Sequence, residues 1–594
     1  MAEWAKVGTV VGSASTGSFT FILKSLQGKL GDIVATRVEV PGLSGGSQRV
    51  ATVWGRIISI DRFNPFFPAE AAQELTDQSI DLMDTVLSGS RDHLEAQVLI
   101  LGTTMEGEAE AQLSPLTYPV KPSAPVLYPD AEAVQLLLTG RPKGGDDEPR
   151  LLIGSLIGRS DVEVSLTAKQ VVSRHLAILA MTGGGKTVAA RRIIRELIDL
   201  KYPLLIFDPH GDYLGLFEKR HLFAGSEVKI FYPVIRVWEK NIGVIADLIN
   251  KMGRSLTDPQ QHFYTYLIGE VDAGEGEPAT TFIQRLIDFA GAIAAKKRSK
   301  DHVSDELAEV RTASINAVMR SLRFVRDNLL QMERNNERLR GQPRFAAYEF
   351  NDMPDPTDNP ESIVRPGQVS IFYLAGYDHL NQSAIVSIVL EALFSHRLTL
   401  SDRIPPFQAV IEEAHNFIPS RREGVDETPS LQTIRKVITE GRKFGTGLVL
   451  ISQRPSRLDE TTLAQCNSFL VLRLVNPNDK RFVRSVMENL SEADANILQT
   501  FGPGQGIVSG QAVRFPLLVR VHFDAELVSE AIGDEDFIAE AQRWSPNKAR
   551  EATARAVRDV VSRPSRRAKP PVSPIKQTRS GKRSRRLKPE GFGD

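Results

Sequence analysis

Ala180-Met-Thr-Gly-Gly-Gly-Lys-Thr187 is the stretch on which the fold turns. Three successive glycines let the backbone curl so that its N–H groups point inward at anionic oxygens, and a lysine followed by a hydroxyl residue adds a point charge and a metal-binding oxygen. The spacing is that of a phosphate loop, with alanine where the first glycine usually stands. The flanks supply the confirming context: His175-Leu-Ala-Ile-Leu179 reads as a buried strand, and Val188 to Leu200 as an amphipathic helix. Strand, glycine loop and helix in that order separate a phosphate loop from a glycine turn that merely opens a helix. Thr182, Gly183, Gly184, Gly185, Lys186, Thr187 and Val188 are therefore the candidate nucleotide-binding residues. Lys186 is expected on the β/γ-phosphates and the Thr187 hydroxyl on Mg²⁺.

Outward from the loop the chain keeps an alternating rhythm. Strands are expected at Pro203–Asp208, Gln368–Leu374, Gln408–Glu412, Gly447–Ser452 and Phe469–Leu474, with a helix over Ala384–Leu400 and a closing hairpin at Gly506–Ser509 and Val513–Val521. Repeated βαβ units imply an α/β core, over 151–214 and 361–530, whose parallel sheet is covered by helices on both faces. Between its second and third strands, 215–360 carries apolar residues at 3.6-residue spacing in Val244–Met252, Thr280–Lys297 and Glu306–Leu330, which predicts an inserted helical subdomain.

Residues 1–120 read differently. Val7–Val11, Phe19–Leu23, Asp32–Thr36, Thr52–Ile58 and Ala96–Leu101 are short β-branched runs punctuated by glycine, serine and proline, the pattern of a small barrel or sandwich. The proline- and glycine-bearing stretch 121–150 reads as a connection. Lys+Arg and Asp+Glu are equal at 73 each, yet eleven of the basic residues and no acid fall in 562–588, leaving the rest of the chain eleven units negative. That basic tail, 562–594, is too poor in apolar surface to order itself and is either a solvated end or an arm for nucleic-acid phosphates or an acidic partner. The one cysteine, Cys466, excludes an intrachain disulfide. No signal pattern opens the chain, and no run approaches the roughly 18 apolar residues of a membrane span, so a cytoplasmic protein without membrane contact is expected.

A magnesium–nucleotide site needs a carboxylate at a neighbouring strand end, and Phe407-Gln-Ala-Val-Ile-Glu-Glu-Ala-His415 ends a strand in two. Glu412 would hold the Mg²⁺ shell through water and Glu413 would orient or deprotonate the attacking water, although aspartate is commoner at position 412 in such enzymes. Asp208, in Ile206-Phe-Asp-Pro-His-Gly-Asp-Tyr213, is expected to end the strand beside the phosphate loop, near the γ-phosphate with His210, unless Pro209 and Gly211 simply make a turn. Gln453, leaving another core strand, is placed to sense the γ-phosphate or to cap that strand. Arg174 and Arg442 are candidate transition-state clamps, since an arginine at a subunit edge can complete a neighbour's site.

Arg174-His-Leu-Ala-Ile-Leu179 leading into Thr182–Thr187, Asp208-Pro-His-Gly-Asp-Tyr213, Glu412-Glu-Ala-His415, Glu440-Gly-Arg-Lys-Phe-Gly445, Ser452-Gln-Arg-Pro-Ser456 and Cys466–Pro477 together resemble the HerA-type DNA-translocating ATPases, relatives of the FtsK motors. The resemblance covers about 1–530. It implies an N-terminal β-barrel, a RecA-like P-loop core, an inserted helical bundle and a C-terminal helical brace (here 531–561), assembled as a homo-hexameric ring around double-stranded DNA and using ATP and Mg²⁺. A Glu-Glu pair is usual in that family, and arginines at the positions of Arg174 and Arg442 are functional in it. The resemblance also implies a partner on the barrel: a NurA-like nuclease in DNA end processing, or a sirtuin-like or other effector in antiphage defence. An ATP-dependent DNA translocase or helicase is the expected function. The alternative is an ATP-binding ring scaffold that gates a partner enzyme, with translocation secondary.

Overall fold

The computed structural model describes residues 4–527 apart from 25–26, 42–47, 65–92, 106–111, 141–147, 238–241, 253, 300–306, 308, 343–344, 400–402, 421–427 and 488–489. The expected brace at 531–561 and basic tail at 562–594 lie outside the described residues.

The chain begins with a closed barrel. Its strands are β1 (Ala5–Val11), β2 (Ser18–Leu23), β3 (Ile33–Pro41), β4 (Gln48–Phe63), β5 (His93–Met105) and β6 (Pro125–Tyr128), paired around the ring in the order β1-β2-β5-β4-β3-β6. Alternation makes the interior: Phe19, Phe21 and Leu23 of β2 point inward against Val7, Val34, Val53 and Val98. The β4–β5 ladder shifts register beside Gly55, where a Cβ would stand 2.2 Å from Val98 Cγ1, so glycine is what allows the two strands to close up there. The stretch 121–150, expected as a plain connection, instead supplies the strand that closes the ring. Proline hid it in the sequence, although a four-residue strand accommodates Pro125 at its first position. Helix α1 (Ala131–Thr139) follows, capped by the Asp130 side chain on the Ala133 N–H.

The second body is a twelve-stranded sheet. It is built from β7 (Arg150–Leu156), β8 (Arg159–Thr167), β9 (Leu176–Leu179), β10 (Leu204–Asp208), β11 (Glu227–Tyr232), β14 (Phe350–Asp352), β15 (Gln368–Tyr373), β16 (Phe407–Ile411), β17 (Thr446–Ser452), β18 (Ser468–Leu472), β19 (Gln505–Gly510) and β20 (Leu517–Val521). A separate two-stranded ribbon pairs β12 (Arg236–Val237) with β13 (Glu277–Pro278). The large sheet runs β14-β11-β15-β10-β16-β17-β9-β18-β19-β20-β7-β8. From β14 to β18 all pairs are parallel, and from β18 to β8 all are antiparallel. The inner parallel strands, β15, β10, β16, β17, β9 and β18, are buried along their whole length, as Val-, Ile- and Leu-rich runs require when helices cover both faces, while β11 and β14 at the edge are partly exposed.

The hairpin of β7 and β8, within the expected core, extends the sheet on its antiparallel side. One correction follows: β11 and β14, expected inside the helical insertion over 215–360, are core strands. Among the described residues the insertion proper contains α4 (Val244–Lys251), α5 (Asp258–Glu270), α6 (Ala279–Ser299) and α7 (Thr312–Arg340), with the β12–β13 ribbon. Each turns an apolar stripe inward, such as Phe282, Ile283, Leu286, Ile287 and Ala290 of α6 against Ile315, Val318, Leu322 and Val325 of α7. Before it come α2 (Ala168–Arg174) and the phosphate-loop helix α3 (Lys186–Asp199); after it come α8 (His379–Leu398), α9 (Pro429–Phe444) and α10 (Glu492–Ile497).

Barrel and sheet share one core: Ile33, Ala35 and Trp54 pack in the same apolar cluster as the strands of the large sheet. At the seam Arg56 of β4, 1% exposed, makes a two-pronged hydrogen-bonded ion pair with Asp494 of α10 at 2.7 and 2.8 Å. Asp494 also accepts from the Ser491 hydroxyl at 2.7 Å, so this carboxylate both caps α10 and neutralises a charge from the barrel.

Candidate functional site

The phosphate loop leaves the carboxyl end of β9, in the middle of the sheet between β17 and β18. Gly185 is the N-cap of α3 with φ 94°, and Gly183 has φ 75°, both in the left-handed region. A Cβ on Gly185 would stand 2.7 Å from the Gly504 nitrogen, whereas one on Gly183 would meet nothing within 4 Å. The loop is clasped from behind. Met181 N–H donates to the Arg473 carbonyl at 2.9 Å and Gly504 N–H to the Gly184 carbonyl at 3.1 Å. The N–H groups in the first turn of α3 have no partner within the helix, so Lys186, Thr187 and Val188 present free donors at the positive end of the helix dipole. Gly184 is buried, Thr182 and Gly183 are exposed, and Thr187 is half-buried beside the lysine.

Lys186 is the meeting point. Its Nζ lies 2.6 Å from Glu412 Oε1 and 2.6 Å from Glu413 Oε1. Consecutive side chains on a strand point to opposite faces. Glu412 and Glu413 converge all the same, because Glu413 adopts φ 50° and ψ 46°, left-handed for a residue with a Cβ, and breaks the alternation just past β16. Each acid has its own support. The buried Tyr213 hydroxyl donates to Glu412 Oε2 at 2.7 Å, and His415 Nδ1 lies 3.2 Å from Glu413 Oε2 and 3.2 Å from the Ser452 hydroxyl.

These surroundings pull the two acids apart electrostatically. Burial pushes the Glu412 carboxyl upward, a rise that Lys186 and Tyr213 only partly offset. Burial also acts on Glu413, but His415 and Lys186 outweigh it and hold that carboxyl down at about 2. Burial would depress the Lys186 ammonium, yet the two carboxylates hold it above its ordinary value.

Asp208 differs from expectation. β16 and β17 stand between β10 and β9, so Asp208 does not end the strand beside the phosphate loop; Glu412 and Gln453 end the strands in between. Its fully buried carboxylate is also committed: Oδ1 accepts from the backbone N–H of His210, Gly211 and Asp212 at 3.2, 2.7 and 3.0 Å, and Oδ2 from Tyr213 N–H at 2.9 Å. Burial raises this carboxyl to about 6 against the pull of those donors. Asp208 thus folds the 209–213 turn and sets Tyr213 under Glu412, while His210 is exposed.

Gln453 does reach the loop, its Oε1 accepting from the Thr182 hydroxyl at 2.6 Å. Arg174 and Arg442 do not. They end α2 and sit in the last turn of α9, before the amino ends of β9 and β17, whereas the phosphate loop and Gln453 follow the carboxyl ends of those strands. Arg174 Nη1 contacts the Gln511 side chain, and Arg442 is exposed.

Tyr213, His415 and Ser452 escaped sequence reasoning as site residues. A tyrosine or histidine a few positions from an acid carries no spacing signal, and its role appears only when the strand order is known.

The residues fit a nucleotide and its metal. Glu412 Oε1, 2.6 Å from Lys186 Nζ, and Glu413 Oε2, 3.2 Å from His415 Nδ1, are buried oxygens without a hydrogen bond of good geometry. Carboxylate and hydroxyl oxygens are the hard donors that Mg²⁺ takes together with phosphate oxygens.

Residues 151–393 match the family described as Helicase HerA, central domain. A probable helicase of Methanocaldococcus jannaschii is 27% identical over 549 residues, covering 90% of this chain and 94% of that one. The DNA double-strand break repair helicase HerA of Pyrococcus furiosus is 27% identical over 581 residues, covering 91% and 97%. Among solved structures, VirB4 of Thermoanaerobacter pseudethanolicus overlaps 65% of this chain and 99% of its own with a TM-score of 0.42 and 14% identity, a distant likeness. The phosphate loop thus lies inside a match to the HerA central domain, and over nine-tenths of its length the chain is similar to a probable helicase and to a HerA double-strand break repair helicase.

Proposed function

We propose that the protein is an ATP-hydrolysing motor on double-stranded DNA, working as a homo-oligomeric ring, a hexamer by resemblance to its family. The observation that carries the proposal is Lys186 held between Glu412 and Glu413 at 2.6 Å from each, at the mouth of a glycine loop. A triphosphate in the loop competes for the Lys186 ammonium. As the lysine turns to the β/γ-phosphates, Glu413 loses one of the charges that hold its carboxyl near 2 and becomes a stronger acceptor for the proton of an attacking water. Bound Mg²⁺ would supply charge neutralisation at the phosphates, held by Thr187 and, through water, Glu412. Gln453, fixed by Thr182, is the group placed to register the γ-phosphate. Arg174 and Arg442 complete the site of the adjacent subunit, a reading supported by their position away from their own phosphate loop.

DNA as the track is supported by two relatives named as a probable helicase and as a DNA double-strand break repair helicase; end processing with a nuclease or defence effector docked on the barrel is what the resemblance to the HerA-type family implies. The test is DNA-stimulated ATP hydrolysis by the full-length protein, with mass photometry for ring size. Lys186→Ala and Glu413→Ala are expected to abolish turnover. Unchanged turnover in either variant refutes the site, and turnover indifferent to duplex DNA refutes the track.

A further inference from the structure

We propose that His175 is a positioning residue that fixes Arg174 and Arg442 relative to each other, presenting them as one unit to a neighbouring subunit. The proposal rests on reading those arginines as parts of a shared site. His175 follows α2 with φ 59° and ψ 142°, a conformation that a residue with a Cβ adopts only under strain. Glycine would relieve the strain at once, whereas histidine brings a ring that bonds to the neighbouring strand. The ring is buried, and its Nδ1 accepts the backbone N–H of Leu448 at 3.0 Å.

That bond settles the tautomer. With Nδ1 an acceptor, the neutral ring carries its proton on Nε2. This nitrogen has no bond of good geometry, and the Ile438 backbone is a polar neighbour of the ring. Ile438 is four residues before Arg442 in α9, so its carbonyl is the one that the helix pairs with the Arg442 N–H. One buried imidazole therefore touches the chain on both sides of the α9–β17 turn and is bonded through its own backbone to Arg174. Glycines make the close approach possible. A Cβ on Gly447 would stand 2.3 Å from the Val172 carbonyl oxygen of α2, and one on Gly441 would stand 2.4 Å from the Thr446 carbonyl oxygen. Burial keeps the ring neutral, its pKa pushed down to about 4, so the bridge does not titrate near neutral pH.

The full-length protein tests this as wild type, His175→Leu, His175→Gly and His175→Asn, measured for ATP hydrolysis and for binding of a fluorescent ATP analogue. His175→Leu and His175→Gly are expected to lower kcat about tenfold with analogue affinity within about twofold of wild type. His175→Asn, which offers an amide oxygen to Leu448 in place of Nδ1, is expected to recover most of that loss. On an Arg174→Ala, Arg442→Ala background, His175→Leu should cost nothing further, because the ring then has nothing to position. Full kcat in His175→Gly, or a loss that multiplies in full with the arginine losses, overturns the proposal. His175→Gly, free of backbone strain, stands in if the leucine variant does not fold. Arginine variants that keep full kcat sink the shared-site reading and this proposal with it. Arginine variants that lose kcat beside an unaffected His175→Gly sink this proposal alone.

Discussion

Lys186 and Glu413, 227 positions apart in the chain, meet at 2.6 Å. With Glu412 at the same distance, the lysine is neutralised by two acids and must leave them to grip a phosphate. Glu413→Gln removes the water-activating carboxylate but keeps a neutral acceptor beside Lys186. It is expected to bind nucleotide at least as tightly as wild type while kcat falls by roughly two to four orders of magnitude. Equilibrium binding of a fluorescent analogue alongside steady-state hydrolysis checks this, and equal losses in both would assign Glu413 to binding.

His175 gives an acid-sensitive window. Its folded pKa of about 4 lies below the ordinary 6.5, so on acidification the unfolded chain takes up the proton first. Its contribution leaves stability intact above about pH 6.5 and erodes it between 6.5 and 4, by about 3 kcal/mol at most. Asp208, with its carboxyl raised to about 6, acts in the opposite sense over part of that range. The measurement is therefore urea unfolding of wild type against His175→Asn at pH 7.5 and 5. The gap between the two proteins should shift toward the variant at the lower pH.

Arg56→Ala leaves Asp494 as a buried, unpaired carboxylate and is expected to cost about 3–5 kcal/mol. Arg56→Met combined with Asp494→Leu removes both charges and should regain much of that loss. Thermal unfolding of the two variants decides it; a single variant as stable as the double would mean that the pair contributes nothing at the seam.

Asp208→Asn offers an amide N–H₂ in place of one carboxylate oxygen, so one side of the turn faces a donor instead of an acceptor. A loss of about 1–3 kcal/mol is expected, with hydrolysis reduced because Tyr213 no longer supports Glu412. An intact Tyr213–Glu412 contact in a crystal structure of the variant, with hydrolysis at the wild-type rate, would contradict this.

The two left-handed glycines of the loop should respond unequally. Gly185→Ala drives a methyl into the Gly504 backbone and is expected to abolish nucleotide binding, whereas Gly183→Ala meets open space and costs only the strain of about 1 kcal/mol. Isothermal titration with ATP separates the two.

The phosphate loop and the acid pair were legible because each is a local pattern: a glycine run between a strand and a helix, and two acids at the end of an apolar strand. A β-rich start that could be barrel or sandwich, the α/β core and the inserted helices followed from periodicity, and the choice of a barrel from the family resemblance. Strand order was not legible. No local feature of Ile206–Asp208 says that β16 and β17 will insert beside β9, and so Asp208 was expected at the phosphates when it folds a turn. Phe350–Asp352 is too short to show an alternating pattern, which kept β14 inside the expected insertion. Arg56 reads as a surface arginine until Asp494, 438 positions away, is brought against it.

The position of β9 between β17 and β18 also governs how the molecule is made. Leu448, which closes on His175, is translated 273 positions later. At about 5–20 residues per second, the glycine loop waits on the order of tens of seconds on the ribosome without either neighbouring strand. The barrel strands precede it and can pair during that interval, so nascent chains pass through a stage with a formed amino-terminal ring and no competence for nucleotide.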